Sequence, residues 1–273
     1  TSVNYSTDKA YGGSSGFQTG STYKVFVLAE WLSKGFLLGD QVDSRDRLWK
    51  VEDFSAKCGG IAGDWDPNNF GNAQYEYLSA LSATIQSVNT SFATMASFLD
   101  LCDIRDRAEA FGVKRADGND LLYVQASVLG VNELSPLTMA AAMSGFANDG
   151  IYCSPIAIDR VVVRSNGLEM KVPVTECNRA VTSEVAAAAS YAFQLVVSGG
   201  TGSASRTPDR VPLAGKTGST DRFLHTWMTG YSSKVATATW VGNVSGTQNV
   251  GSVSIDGTPG GSLRHEIWRQ IMT

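Results

Sequence analysis

Gly215-Lys216-Thr217-Gly218-Ser219-Thr220 lies between an apolar lead-in (Val211, Leu213, Ala214) and an aromatic-rich stretch that reads as further strand. Segments 211–218, 226–232 and 235–243 follow each other closely enough for an antiparallel meander. A cation, several hydroxyls and a glycine at a sheet edge suit recognition of an anionic, extended ligand. The plainer reading is a lysine that guards an exposed edge strand. Companion signals elsewhere in the chain decide between the two.

Around this sheet the sequence reads as an α+β protein. Residues 1–20 are rich in Gly, Ser and Thr and read as loop, and 35–73 look irregular. From Ser21 to about Lys34 apolar residues surround the axis, which predicts a helix buried on most sides. Further helices are expected at 75–83, 90–101, 103–111 and 136–148, the last opening on Pro136. Segments 156–163 and 168–174 read as a hairpin turning through Ser165-Asn166-Gly167. An alanine-rich helix follows at 183–197. A final helix from Ser262 carries Leu263, Ile267 and Ile271 on a face expected to pack on the sheet. The expected architecture is one domain: an antiparallel sheet flanked by helices (about 1–34 and 150–273) with a largely helical subdomain inserted at about 35–149.

Composition narrows the function. The 273 residues are 43% hydrophobic and 18% charged, and the net charge of -4 argues against nucleic acid as the main partner. No apolar run approaches the roughly 18 residues of a membrane span, and no signal peptide is visible. Thr1 at the start and a helix cut close to residue 273 lead us to expect a fragment of a longer protein. Cys58, Cys102, Cys153 and Cys177 form no CxxC, and with only His225 and His265 no zinc cluster can be assembled, so no metal is expected. Four cysteines allow three pairings, or four buried thiols. The favoured expectation is Cys58–Cys102 and Cys153–Cys177, because an even count fits an oxidising compartment.

Ser-x-x-Lys occurs twice. Ser6-Thr7-Asp8-Lys9 leads into a glycine-rich run unsuited to a helix, whereas Ser21-Thr22-Tyr23-Lys24 opens the buried one. At i and i+3 Lys24 can reach the Ser21 hydroxyl, and the helix N-terminus offers unpaired N–H groups to an oxyanion. A serine needs a base; neither histidine has an evident acidic orienter, so a lysine kept neutral by burial and by a second cation takes the role. Ser-x-Asn also occurs twice, at Ser2-Val3-Asn4 near the terminus and at Ser87-Val88-Asn89 before a helix. Ser87 and Asn89 read as capping groups on their own, and as a proton relay and an amide holder beside two lysines.

In the order Ser-x-x-Lys, Ser-x-Asn, Lys-Thr-Gly, these motifs resemble those of penicillin-binding proteins and serine β-lactamases, the penicilloyl serine transferases. Ser15 to Lys24, Leu134-Ser135-Pro136-Leu137-Thr138-Met139-Ala140, Phe146-Ala147-Asn148-Asp149-Gly150, Trp227 to Tyr231 and Thr239 to Gly242 are similar to stretches of class A (bifunctional) penicillin-binding proteins. The cysteines are reminiscent of actinobacterial members. The resemblance implies a D,D-transpeptidase that cross-links peptidoglycan stem peptides and is acylated by β-lactams, without cofactor. Ser21 would be the nucleophile, Lys24 the base, Ser87 the relay with Lys216, and Asn89 the holder of a substrate amide. Thr217, Gly218 and Ser219 with Lys216 would seat the terminal carboxylate, and the N–H groups of Ser21 and Ser219 would form the oxyanion hole. It further implies a membrane-anchored parent carrying a glycosyltransferase domain, on the extracytoplasmic face of the bacterial plasma membrane.

Two departures stand out. Such proteins place a strand pair before the nucleophile helix, and only 20 residues precede Ser21 here. The sheet is expected to lack its N-terminal strands unless another chain or an N-terminal fragment completes it. A β-lactamase would need an activated water, yet no E-x-x-L-N run is present and Glu133 is the only candidate by position. A D,D-carboxypeptidase differs only in using water as acceptor. A non-catalytic β-lactam-sensing module is disfavoured by Asn89.

Overall fold

The computed structural model describes residues 2–273. The meander forms as expected: Ala214–Ser219 (β1), His225–Tyr231 (β2) and Ala236–Gly242 (β3) pair antiparallel with β2 in the middle. Among the described residues this sheet has three strands. Phe17–Gln18 does not join it and pairs instead with Glu133–Leu134.

Alternation along β2 sets the two layers. Trp227 is buried on one face in the main core, while Met228 on the other meets Leu213, Val197, Trp268 and Met272. The helices are Lys24–Ser33 (α1), Ala80–Gln86 (α2), Asn89–Ser97 (α3), Leu101–Ala110 (α4), Pro136–Ala147 (α5), Ser183–Gly199 (α6) and Gly260–Met272 (α7). Helix α1 runs through the centre: Val25, Phe26, Val27, Leu28 and Ala29 are all fully buried. Rings of Phe26, Phe111, Phe146 and Phe193 meet in series, tilted, stacked and edge-on in turn, and join α1 to the ends of α4 and α5 and to the middle of α6. Helix α5, sequence-placed in the inserted segment, packs on β2 and β3.

Several expectations need correction. The expected stripe is not the buried one: Leu263 is half-buried, Ile267 and Ile271 are exposed, and His265, Trp268 and Met272 are buried. Two stripes compete on α7, and the tryptophan has far more apolar area to remove from water than an isoleucine. Residues 77–79 are strand, paired with Gln41–Asp43, and the helix begins only at Ala80. The hairpin shrinks to Val161–Val162 with Glu169–Met170 on an exposed arm. Lys9–Gly12 makes one helical turn within the expected loop. Both expected disulfides are present. Cys58–Cys102 fastens a loop to the first turn of α4, and Cys153–Cys177 closes the base of the arm.

Candidate active site

Ser21 lies in a 3-10 turn, Gly20–Tyr23, that leads directly into α1 at Lys24. The turn is tight because two glycines let backbones touch. Gly20 has φ +53°, and a Cβ there would strike the Ser219 carbonyl oxygen. A Cβ on Gly218 would strike the Thr19 carbonyl oxygen and come within 2.8 Å of Thr22 Cγ2. The Ser21 turn is thereby pressed against β1 with no side chain between them.

Helix α2 ends at Ser87, which adopts the left-handed conformation (φ 59°, ψ 39°) rare for residues other than glycine. That bend turns the Ser87 carbonyl toward Lys24 and its hydroxyl toward β1. Lys24 Nζ donates to Ser87 O and to Asn89 Oδ1, each at 2.7 Å, and sits 5.1 Å from the Phe92 ring centre. Asn89 Nδ2 in turn donates to Asn68 O at 2.6 Å. Lys216 Nζ donates to Ser87 Oγ at 2.7 Å and to Thr217 O at 3.0 Å. The expected direct bond from Lys24 to the Ser21 hydroxyl is absent among the described residues; the lysine is drawn to the end of α2 instead.

Both lysines are sealed from water. Burial, with Lys216 nearby, pushes Lys24 well below the usual lysine range. Burial, with Arg264 nearby, lowers Lys216 to about 7. None of the ion pairs among the described residues involves either lysine.

These groups underlie an open cleft of about 780 Å³, lined by Ser21, Ser87, Asn89, Thr217, Gly218, Ser219 and Arg264 among others. Thr220 N–H bonds to His225 O across the sheet, so by alternation the Ser219 N–H points to the opposite side, toward the Ser21 turn. Thr217 Oγ1 shares a hydrogen bond with Thr201 Oγ1 at 2.7 Å. Every predicted site residue thus gathers at one place.

The family described as "Penicillin binding protein transpeptidase domain" matches residues 5–273. The chain belongs to this family. A Penicillin-binding protein 1A of Aquifex aeolicus is 27% identical over 225 residues, covering 82% of this chain and 29% of the relative. The Penicillin-binding protein 1A of Mycobacterium tuberculosis is 29% identical over 294 residues, covering 98% and 34%. The chain therefore spans about a third of the length of these relatives. Among solved structures, the penicillin-binding protein PonA1 from Mycobacterium tuberculosis superposes with a TM-score of 0.74 at 25% identity, covering 93% of this chain and 68% of that one. Penicillin-Binding Protein 1A from Haemophilus influenzae reaches 0.79 at 20% identity, covering 98% and 42%, a likeness of fold.

In this transpeptidase domain Glu133 does not line the cleft; it lies 3.9 Å from Arg115 on the short pair with Phe17–Gln18. Sequence reading missed Thr201 and Arg264. Arg264 Nη1 donates to Gly218 O at 2.6 Å and Ser219 Oγ at 2.7 Å. No spacing signal marks either residue, because Thr201 reaches the site just beyond α6, which packs on β1, and Arg264 reaches it from α7, which packs on β2 and β3.

Proposed function

We propose that this domain is a D,D-transpeptidase that joins peptidoglycan stem peptides through an acyl-enzyme on Ser21 and is acylated there by β-lactams. The observation that carries the reading is the donor count at Lys24. A neutral lysine amine has two hydrogens and one lone pair, and Ser87 O and Asn89 Oδ1 account for both hydrogens. The lone pair is left to take a proton, and burial keeps the amine neutral.

In the first half-reaction Ser21 Oγ attacks the penultimate D-Ala carbonyl and yields its proton to Lys24. The Ser21 and Ser219 N–H groups receive the oxyanion. As the C–N bond breaks, Ser87 hands a proton to the departing D-Ala amine, with Lys216 held on its hydroxyl at 2.7 Å to replenish it. An acceptor amine then attacks the ester, its proton follows the reverse route, and Ser21 is released with a new peptide bond. A β-lactam follows the first half only, because its leaving amine stays tethered. The relatives' names and the match to the family support a protein of the cell wall, acting outside the plasma membrane as part of a longer chain with a glycosyltransferase domain. No helix among the described residues is long and apolar enough to cross a membrane.

Intact-mass spectrometry after incubation with a penicillin tests this. One stable adduct is expected on the parent, retained in Ser6→Ala and lost in Ser21→Ala. An unmodified parent overturns the reading, and rapid multiple-turnover hydrolysis would turn it to a β-lactamase.

A further inference from the structure

Two buried lysines and the partly buried Arg264 surround the cleft, and of these three only the arginine lines it. Lys24 and Lys216 are 1% and 0% exposed and give their donors to Ser87, Asn89 and Thr217. Arg264, in the first turns of α7, lines the cleft. Its Nη1 is placed on Gly218 O and Ser219 Oγ, and its Nη2 has no hydrogen-bond partner among the described residues. No carboxylate pairs with it among the described residues. A guanidinium cannot shed its proton at neutral pH, so one that is partly desolvated and unpaired is stabilised when an anion arrives.

The way it is held points the same way. Arg264 Nε donates to His265 Nε2 at 3.1 Å, which leaves the imidazole proton on Nδ1, 2.7 Å from Ser205 Oγ. Ser205 and His265 are themselves buried, and burial with the Arg264 charge lowers His265 to about 4. A neutral acceptor therefore aims the arginine; a carboxylate in the same place would cancel its charge. Arg222, the other arginine of the cleft, is exposed, where water and salt screen its pull.

We propose that Arg264 seats the carboxylate of the acyl donor at the end of β1, with His265 and Ser205 as the positioning residues that aim it. The inference rests on the acyl-transfer reading above. Thr217 and Ser219 hydroxyls then complete the seat, and Lys216 acts on Ser87 rather than on the ligand.

The test compares acylation rates with benzylpenicillin and with its methyl ester, which lacks the negative charge. Arg264→Gln is expected to slow the acid by about tenfold or more and the ester by much less, since one charge-assisted bond is removed. His265→Leu should repeat part of this acid-selective loss, and His265→Gln, which retains an acceptor, should recover it. Thermal melts confirm that each variant is folded. An acid rate in folded Arg264→Gln within about threefold of the parent, or equal slowing of acid and ester, overturns the proposal. A parent that forms the adduct while Arg264→Gln is unimpaired sinks only this inference; a parent without an adduct sinks the reading beneath it.

Discussion

Helix α1 buries two ionisable side chains, Lys24 and Glu30, less than two turns apart, and they are treated in opposite ways. Glu30 is 2% exposed and fully paired: Arg107 approaches at 2.9 Å and Lys34 at 3.4 Å, and Arg107 also bonds to the Ala180 carbonyl. Lys24 has neutral acceptors and a neighbouring cation, and no carboxylate. Pairing suits a charge that ties α1 to α4 and the segment before α6. Burying a lysine with no carboxylate beside it forces the amine to shed its proton, which costs stability and leaves a lone pair on the nitrogen. The contrast separates a charge kept for cohesion from an amine kept neutral, the form that the proposed base needs.

The largest effect should fall on the unpaired side. Lys24→Ala is expected to lower the acylation rate by about 10²–10⁴-fold, the usual worth of a general base. Its melting temperature should hold or rise, because folding no longer has to desolvate and deprotonate a lysine. A melt lowered as far as that of Arg107→Ala would erase the distinction between the two regions.

Arg107→Ala should do the reverse. Stranding Glu30 costs about 3–5 kcal/mol of stability by denaturant titration. The acylation rate per folded molecule should stay within about twofold, since Arg107 touches nothing in the cleft. The disulfides come next: in the chain-entropy account, opening Cys58–Cys102 costs about 4 kcal/mol and Cys153–Cys177 slightly less. Melts of paired Cys→Ser variants give the order.

A smaller effect is visible in pH. Lys216 titrates near 7 when folded and near 10.5 when unfolded. Between those values the unfolded chain binds the extra proton, so this group makes stability rise with pH, by at most about 1.4 kcal/mol per unit. Lys216→Met should flatten that rise; an unchanged slope would contradict the buried neutral amine. Smallest of all, Arg160→Ala on the exposed arm breaks a solvent-exposed pair with Glu169 and should shift stability by less than about 1 kcal/mol.

Much of the site was legible because its chemistry is written in short motifs. Ser21 and Lys24, Ser87 and Asn89, and Lys216 with Thr217 each lie within three residues of one another, so short spacing keeps the members of each pair close. The meander was legible because its strands are neighbours in sequence. Ser87's left-handed bend and the 3-10 turn at Ser21 were not, since both answer to contacts more than 60 residues away. Arg264 was hidden for the same reason. The α7 misreading came from counting isoleucines on one stripe while a single tryptophan, Trp268, set the buried side.

The bare backbone contacts of Gly20 with Ser219 and of Gly218 with Thr19 have a consequence for how this site can vary. Side-chain walls adjust by rotamer changes, but here two backbones define the spacing between the Ser21 turn and β1. Any replacement adds a Cβ that must push the walls apart. Adaptation to new ligands is therefore steered away from this seam and toward the cleft's rim, at residues such as Phe70, Arg222 and Phe223. The seam behaves as a fixed gauge around which the remainder of the binding surface is free to drift.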